Sequence, residues 1–221
     1  MIKEIVGELV ERFKQNIDTY KSASYNETEL RVEFINPFWK ALGWDVDNKA
    51  GYAHLYRDVI HEDAISFGGS TKAPDYCFRI GNMRKFFLEA KRPSVNIGED
   101  ATSAYQLRRY AWSGKLPISV LTNFAELAVY DGRIRPSNTD KASKARIALY
   151  KFDEYVERWD EIDAVFSREA VLKGSFDKYA LSVNGKRGTT EVDMEFLTEI
   201  EKWRESLAKN IALRNVDISV R

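Results

Sequence analysis

Pro74-Asp75, followed fourteen residues later by Glu89-Ala90-Lys91, supplies two carboxylates and an ammonium at a spacing that one hairpin could bring together. Such a trio can hold a divalent cation and hydrolyse a phosphodiester. Carboxylate oxygens suit a hard ion such as Mg²⁺, with Mn²⁺ as its alternative, and such an ion keeps several of its waters. The ion polarises a phosphoryl group and lowers the pKa of bound water. An ammonium alongside orients that water or offsets the charge that builds in the transition state. The backbone carbonyl of Ala90 is a candidate further ligand. A plainer alternative is a Glu89–Lys91 ion pair on an exposed sheet face. Against it stand Phe86, Phe87 and Leu88, which mark the strand as buried, and buried strands rarely end in unpaired charge.

The elements that must position this trio are legible nearby. Tyr76-Cys77-Phe78-Arg79-Ile80 and Lys85-Phe86-Phe87-Leu88-Glu89 flank Gly81-Asn82, which reads as an antiparallel hairpin. Strand side chains alternate, so Glu89 and Lys91 share one face and Ala90 takes the other. If the register pairs position 75 with 89, Asp75 lies across from Glu89. A helix from about Ala101 to Ser113 follows, and Gln106 and Tyr110, four apart, share one of its faces. That face is either an ordinary polar surface or a partner for the catalytic carboxylates and the scissile phosphate.

Upstream, Ile2, Ile5, Val6, Leu9, Val10, Phe13 and Ile17 predict a first helix that ends near Tyr20. Asn26, with Glu29 three residues later, predicts a capping box for a second helix that carries Leu30, Phe34, Phe38 and Leu42 and ends at Gly43. Glu33 lies one position off that apolar stripe. It is either a solvated helix residue or an acid at the edge of the metal site. The stretch Gly51 to Lys72 reads as a loop or hairpin, and His54 and His61 as surface histidines, because nothing nearby completes a zinc set. Ile118 to Leu121 and Leu127 to Tyr130 read as two further strands.

Between Asp131 and Arg146 a basic segment with Arg133, Arg135, Lys141 and Lys144 reads as a mobile loop. Arg92, Arg108, Arg109, Lys141 and Lys144 are the candidate contacts to a nucleic-acid backbone. Phe152, Tyr155, Val156, Trp159, Ile162 and Phe166 predict another helical stripe, which packs across the sheet or builds a small subdomain with Tyr179 and Leu181. Lys186 to Thr190 reads as a linker. Met194, Leu197, Ile200, Trp203 and Leu207 predict a final helix from about Glu191 whose stripe expects a partner surface.

In order and spacing these residues resemble the PD-(D/E)xK nuclease superfamily, in the branch at the N-terminus of type I and type IIG restriction-modification enzymes. The likeness rests on Pro74-Asp75, Glu89-Ala90-Lys91-Arg92-Pro93, the helix with Gln106 and Tyr110, and Arg31 to Phe38 leading into Leu42-Gly43-Trp44-Asp45. Leu121 to Phe124 and Leu127 to Asp131 are similar to the later strands, and Phe196 to Asn215 to a connector helix. The resemblance implies an α/β fold: a central mixed β-sheet flanked by helices, a restriction-endonuclease-like core with a C-terminal helical extension. It implies a nuclease core over 1–150, a closing segment over 151–187, and a connector over 188–221 toward a downstream methyltransferase and target-recognition region. It implies Asp75, Glu89 and Glu33 at a Mg²⁺ site, Lys91 at the water, Gln106 and Tyr110 in support, and double-stranded DNA as substrate. A single metal site cuts one strand, so a double-strand break calls for a transient homodimer on DNA.

Composition bounds these readings. At 221 residues, 44% hydrophobic and 13% aromatic, the chain can bury one core with a small appendage. Lys+Arg and Asp+Glu are both 34, so a DNA-binding surface must come from local segregation of charge. Neutrality therefore favours a nuclease whose other domains supply most phosphate contacts over a free-standing repair or junction nuclease. A non-catalytic DNA-binding or docking module that retains the fold would be expected to have lost one of Asp75, Glu89 and Lys91. The one cysteine, Cys77, excludes an intrachain disulfide and suits a reducing cytoplasm. No apolar run approaches membrane-spanning length.

Overall fold

A computed structural model describes residues 2–67, 70–176 and 179, together with positions 203 and 207; residues 65–67 and 70–72 are described through their backbone alone. Helix α1 (Ile2–Gln15) buries Val6, Leu9 and Phe13 and is followed by a short α2 (Ile17–Tyr20). Asn26 caps α3 (Glu27–Leu30) in a reciprocal capping box with Glu29, as its spacing predicts. The helical path then loosens into a π turn over Arg31–Ile35 before α4 (Asn36–Ala41). Pro37 is the physical reason: it has no N–H to give to the carbonyl of Glu33. The Arg12 guanidinium donates to that carbonyl instead. Gly43, with φ of 85°, ends the run in the left-handed region that favours glycine.

Among the described residues, eight strands follow. They are β1 (Val59–His61), β2 (Ile65–Phe67), β3 (Ser70–Lys72), β4 (Tyr76–Ile80), β5 (Met83–Ala90), β6 (Ile118–Thr122), β7 (Glu126–Asp131) and β8 (Arg146–Lys151). Six form one sheet in the order β1-β4-β5-β6-β7-β8, and β2 and β3 form a separate ribbon. β5 and β6 run parallel, joined across α5 (Ala101–Ser113), and every other neighbouring pair in the sheet is antiparallel. The stretch expected as a loop or hairpin thus contributes β1 to the sheet edge. β8 is an addition to the sequence reading: its residues are mostly half-buried, and that pattern is weak in sequence.

Side-chain alternation divides the core in two. Phe78, Phe86, Leu88, Ala90 and Val120 point toward α1, α4, α6 (Trp159–Phe166) and α7 (Arg168–Leu172). Cys77, Phe87, Leu121 and Ala128 point toward Leu107 and Ala111 of α5. The fold is therefore α/β, a mixed sheet with helices on both faces, which is why its central strands read as continuous apolar runs. The first layer is aromatic, with Phe78 stacked on Phe86 at 4.3 Å and Trp39 against both. Phe152, Tyr155, Trp159, Ile162, Phe166 and Phe176 pack into this same layer, while Val156 is exposed. Cys77 is buried in the second layer, and burial pushes its thiol up to about 12.

The basic segment after β7 is tied down. Asp140 accepts from Arg108 and from the backbone of Ser137, the Tyr130 hydroxyl donates to the carbonyl of Ala142, and Asp131 pairs with Arg133. The linker over Lys186 to Thr190, Leu181 and most of the predicted final helix lie outside the described residues. Trp203 and Leu207 are helical and exposed. Among the described residues no helix is long and apolar enough to cross a membrane.

Candidate active site

The turn Gly81-Asn82, with Gly81 at φ of 61°, closes the β4–β5 hairpin with Ile80 opposite Met83, and an irregularity at Phe78/Arg79 then shifts the register by one residue. Tyr76 pairs with Leu88 and Phe78 with Phe86, so Asp75 comes level with Glu89. One Asp75 oxygen, Oδ2, accepts from the amide of Ala90 at 2.7 Å. Beyond β5 the amide of Lys91 donates to the carbonyl of Thr122 at 2.9 Å, which extends the parallel pairing past the strand end and fixes the backbone beneath the lysine. Lys91 Nζ donates to Glu89 Oε1 at 2.9 Å. The residues expected to converge do so.

From α5, whose first turn Asp100 caps through the amides of Thr102 and Ser103, Gln106 reaches the same oxygen. Its Nε2 donates to Glu89 Oε1 at 3.0 Å and to the Tyr110 hydroxyl at 2.9 Å. The predicted face of α5 is thus turned to the carboxylates. Glu89 is only 5% exposed, and its second oxygen, Oε2, has no hydrogen-bond partner. Burial first, then the Asp75 carboxylate opposite, hold the Glu89 pKa above the ordinary glutamate value. Burial works to lower that of Lys91, yet contact with Glu89 outweighs it and the net shift is upward. Tyr110 is likewise raised by burial and by Glu89.

A buried carboxylate oxygen without a partner is costly. Here it lies beside a second carboxylate, and a hard cation relieves both the missing bond and the like-charge repulsion. Among the described residues no three His, Cys, Asp or Glu side chains gather at a metal-binding spacing. An ion at this site would draw on two side-chain carboxylates, with backbone and water oxygens completing its shell. That donor set suits Mg²⁺ or Mn²⁺ better than zinc.

Glu33 does not join the group. Its carbonyl is taken by Arg12, and its carboxylate acts on Tyr25, which it helps to raise. Arg31 and Glu27, four apart along α3 and its continuation, face the site instead. Arg31 Nη1 donates to Asp75 Oδ1 at 3.4 Å, and Glu27 feels both Lys91 and Asp75. Sequence reading missed both residues. Their spacing of four, which brings side chains together on a helix, was the available signal. His61, expected as a plain surface histidine, also contacts Arg31.

The candidate DNA contacts separate. Arg108 is a correction: it is 1% exposed and bonded to Asp140 at 2.8 Å, so it braces the basic segment from inside. Arg92, Lys141 and Lys144 are exposed. Arg109 is half-buried, with its guanidinium over the ring of Tyr105.

Residues 24–138, just over half of the chain, match the model of the type I restriction enzyme R protein N terminus. The chain belongs to this family. It is also 43% identical over 208 residues to an Escherichia coli protein described as a type II restriction enzyme and methyltransferase, RM.Eco57I. That alignment takes in 93% of the chain but 21% of the relative, so the chain spans about a fifth of that protein's length. No solved structure matches the chain. The matched family segment contains every member of the site, from Glu27 through Tyr110.

Proposed function

We propose that this member of the family is a divalent-metal-dependent endonuclease module of the PD-(D/E)xK kind, which hydrolyses phosphodiester bonds in double-stranded DNA. The observation that carries the reading is Glu89 Oε2, buried, unpartnered and opposite Asp75. Asp75 and Glu89 would hold Mg²⁺ or Mn²⁺ with the carbonyl of Ala90. The ion supplies Lewis acidity and a bound water of lowered pKa. Lys91, kept as an ammonium by Glu89, is no proton acceptor at neutral pH. It orients the attacking water and offsets charge on the phosphoryl oxygens. Gln106 fixes Glu89 Oε1 and leaves the Tyr110 hydroxyl free to donate toward a phosphate. Glu27, in place of Glu33, is the acid at the rim.

Family membership and the fused E. coli relative support a place in a restriction-modification protein, with methylation and target recognition supplied by other domains. Charge balance agrees, because a neutral chain relies on such domains to deliver DNA. Cutting both strands would take a second copy, since one site serves one strand.

Two measurements test the reading. Supercoiled plasmid incubated with the chain should be cut in Mg²⁺ or Mn²⁺ and left intact with chelator. Calorimetric titration should show Mg²⁺ binding to the wild type and none to Asp75→Ala; equal binding by both would end the assignment.

A further inference from the structure

The geometry points to Arg31 as a direct ligand of the nucleic-acid backbone phosphate at this site, a role that rests on the nuclease reading. Its guanidinium is held on three sides. Nε donates to the Tyr76 hydroxyl at 3.2 Å, and the plane lies over the Tyr76 ring at 4.8 Å. The Tyr76 hydroxyl in turn donates to Asn36 Oδ1 at 2.7 Å, which fixes the direction of that relay. Nη2 lies 3.3 Å from His61 Nδ1, and because arginine only donates, a hydrogen bond there takes Nδ1 as its acceptor. The other ring nitrogen of His61, Nε2, lies 3.3 Å from the carbonyl oxygen of Val46.

The remaining contact, Nη1 to Asp75 Oδ1, is the loosest of the set at 3.4 Å. Asp75 is anchored far better through Oδ2, at 2.7 Å from the amide of Ala90. Asp75 therefore does not need Arg31 to hold its position. One N–H each of Nη1 and Nη2 is engaged, which leaves a second N–H on each. The Arg31 and Asp75 side chains are 19% and 18% exposed, so a ligand can reach them. The result is a planar fork, oriented in advance and still able to donate, beside the carboxylate that would carry the ion.

Charge accounting favours the same role. Asp75, Glu89 and Glu27 outnumber Lys91 and Arg31 by one negative charge. A divalent ion reverses the sign, and a phosphodiester returns the site to neutrality. The further negative charge that develops during phosphoryl transfer needs a cation already in position, and a guanidinium matches paired phosphate oxygens better than an ammonium does. Arg31 is thus a phosphate-contacting residue, and Tyr76, Asn36 and His61 are its positioning residues.

The test separates this role from a brace for Asp75. Arg31→Gln keeps an amide donor for Tyr76 but removes the charge, and Arg31→Lys keeps the charge but loses the fork. Affinity for a duplex is measured with chelator present over a series of salt concentrations. The slope of log affinity against log salt should fall by about one in Arg31→Gln and stay at the wild-type value in Arg31→Lys. With Mg²⁺, cleavage should fall about a hundredfold or more in Arg31→Gln. Calorimetric Mg²⁺ affinity should be unchanged or tighter, because a competing cation has left Asp75. An unchanged salt slope in Arg31→Gln, or Mg²⁺ binding weakened as much as cleavage, would make Arg31 a brace and overturn the role. A wild type that binds no Mg²⁺ would overturn the nuclease reading itself, and this role with it.

Discussion

At the turn end of the β4–β5 hairpin, Asp63 is gripped by two arginines; at the open end, Asp75 and Glu89 face each other with an oxygen to spare. Asp63 Oδ2 accepts from Arg79 at 2.8 Å and from Arg84 at 2.7 Å, and Oδ1 accepts from Arg84 at 3.0 Å. Burial alone would raise its pKa, but the arginines outweigh burial and bring it to about 2. Glu89, with a similarly small exposed surface, is shifted the opposite way, by burial first and then by the Asp75 carboxylate. The lesson concerns valence as well as burial. A buried carboxylate whose oxygens are saturated by guanidinium is a strut, whereas one left short beside a second carboxylate is set up for a ligand.

The sharpest way to break this contrast is to remove charge from each end. Lys91→Ala should cut Mg²⁺-dependent cleavage about a thousandfold while the thermal transition stays close to wild type, since no core packing is lost. A collapsed melt would make the open end structural as well. Asp63→Asn should do the reverse. It leaves two guanidinium groups without their counter-ion, lowers stability by about 3 kcal/mol in a denaturant titration, and spares the cleavage rate per folded molecule.

Smaller effects sharpen the picture. Gln106→Ala frees one bond to Glu89 Oε1 and should weaken calorimetric Mg²⁺ affinity about tenfold to a hundredfold; no change would return Gln106 to the surface. Glu27→Gln should slow cleavage severalfold and Glu33→Gln should not, with the opposite ranking restoring Glu33 to the rim of the site. The smallest effect is in pH. Glu89 has a raised pKa when folded, so the folded state binds more protons than the unfolded one between the ordinary and the raised value. Metal-free stability contributed there is full below the ordinary value and is lost as pH rises through the raised one. Melting temperatures across this window should show that decline in the wild type, and Mg²⁺ or Glu89→Gln should remove it. Asp63 contributes with opposite sign at lower pH, gaining stability as pH climbs from about 2 toward its ordinary value.

Much of the site was legible because its signals are local. The hairpin itself follows from a two-residue turn with glycine first, and strand alternation dictates that Glu89 and Lys91 share a face; the turn alone would set Asp75 opposite Leu88, and the one-residue register shift at Phe78/Arg79 brings it level with Glu89. Gln106 and Tyr110 were found by helical spacing for the same reason. Arg108 was misjudged because a sequence shows a charge and not its burial; a partner 32 residues away took it inside. The stripe of Leu30, Phe34, Phe38 and Leu42 is buried as its period predicts, but a position one off that stripe does not say which flank meets the strand end; Glu33 stands two residues past Arg31, roughly half a turn around the helix from the flank that does.

What the sequence by itself determined is therefore the short-range part: an α/β order of elements, the hairpin, the capping box at Asn26, and the trio of Asp75, Glu89 and Lys91 at one strand end. The tertiary structure alone decided which acid and which arginine from the N-terminal helices reach that trio, and which basic residues stay outside. Those choices depend on how the N-terminal helices pack against the sheet and on pairings between distant residues. No local period or propensity encodes such contacts, because their energy exists only once the chain has closed on itself.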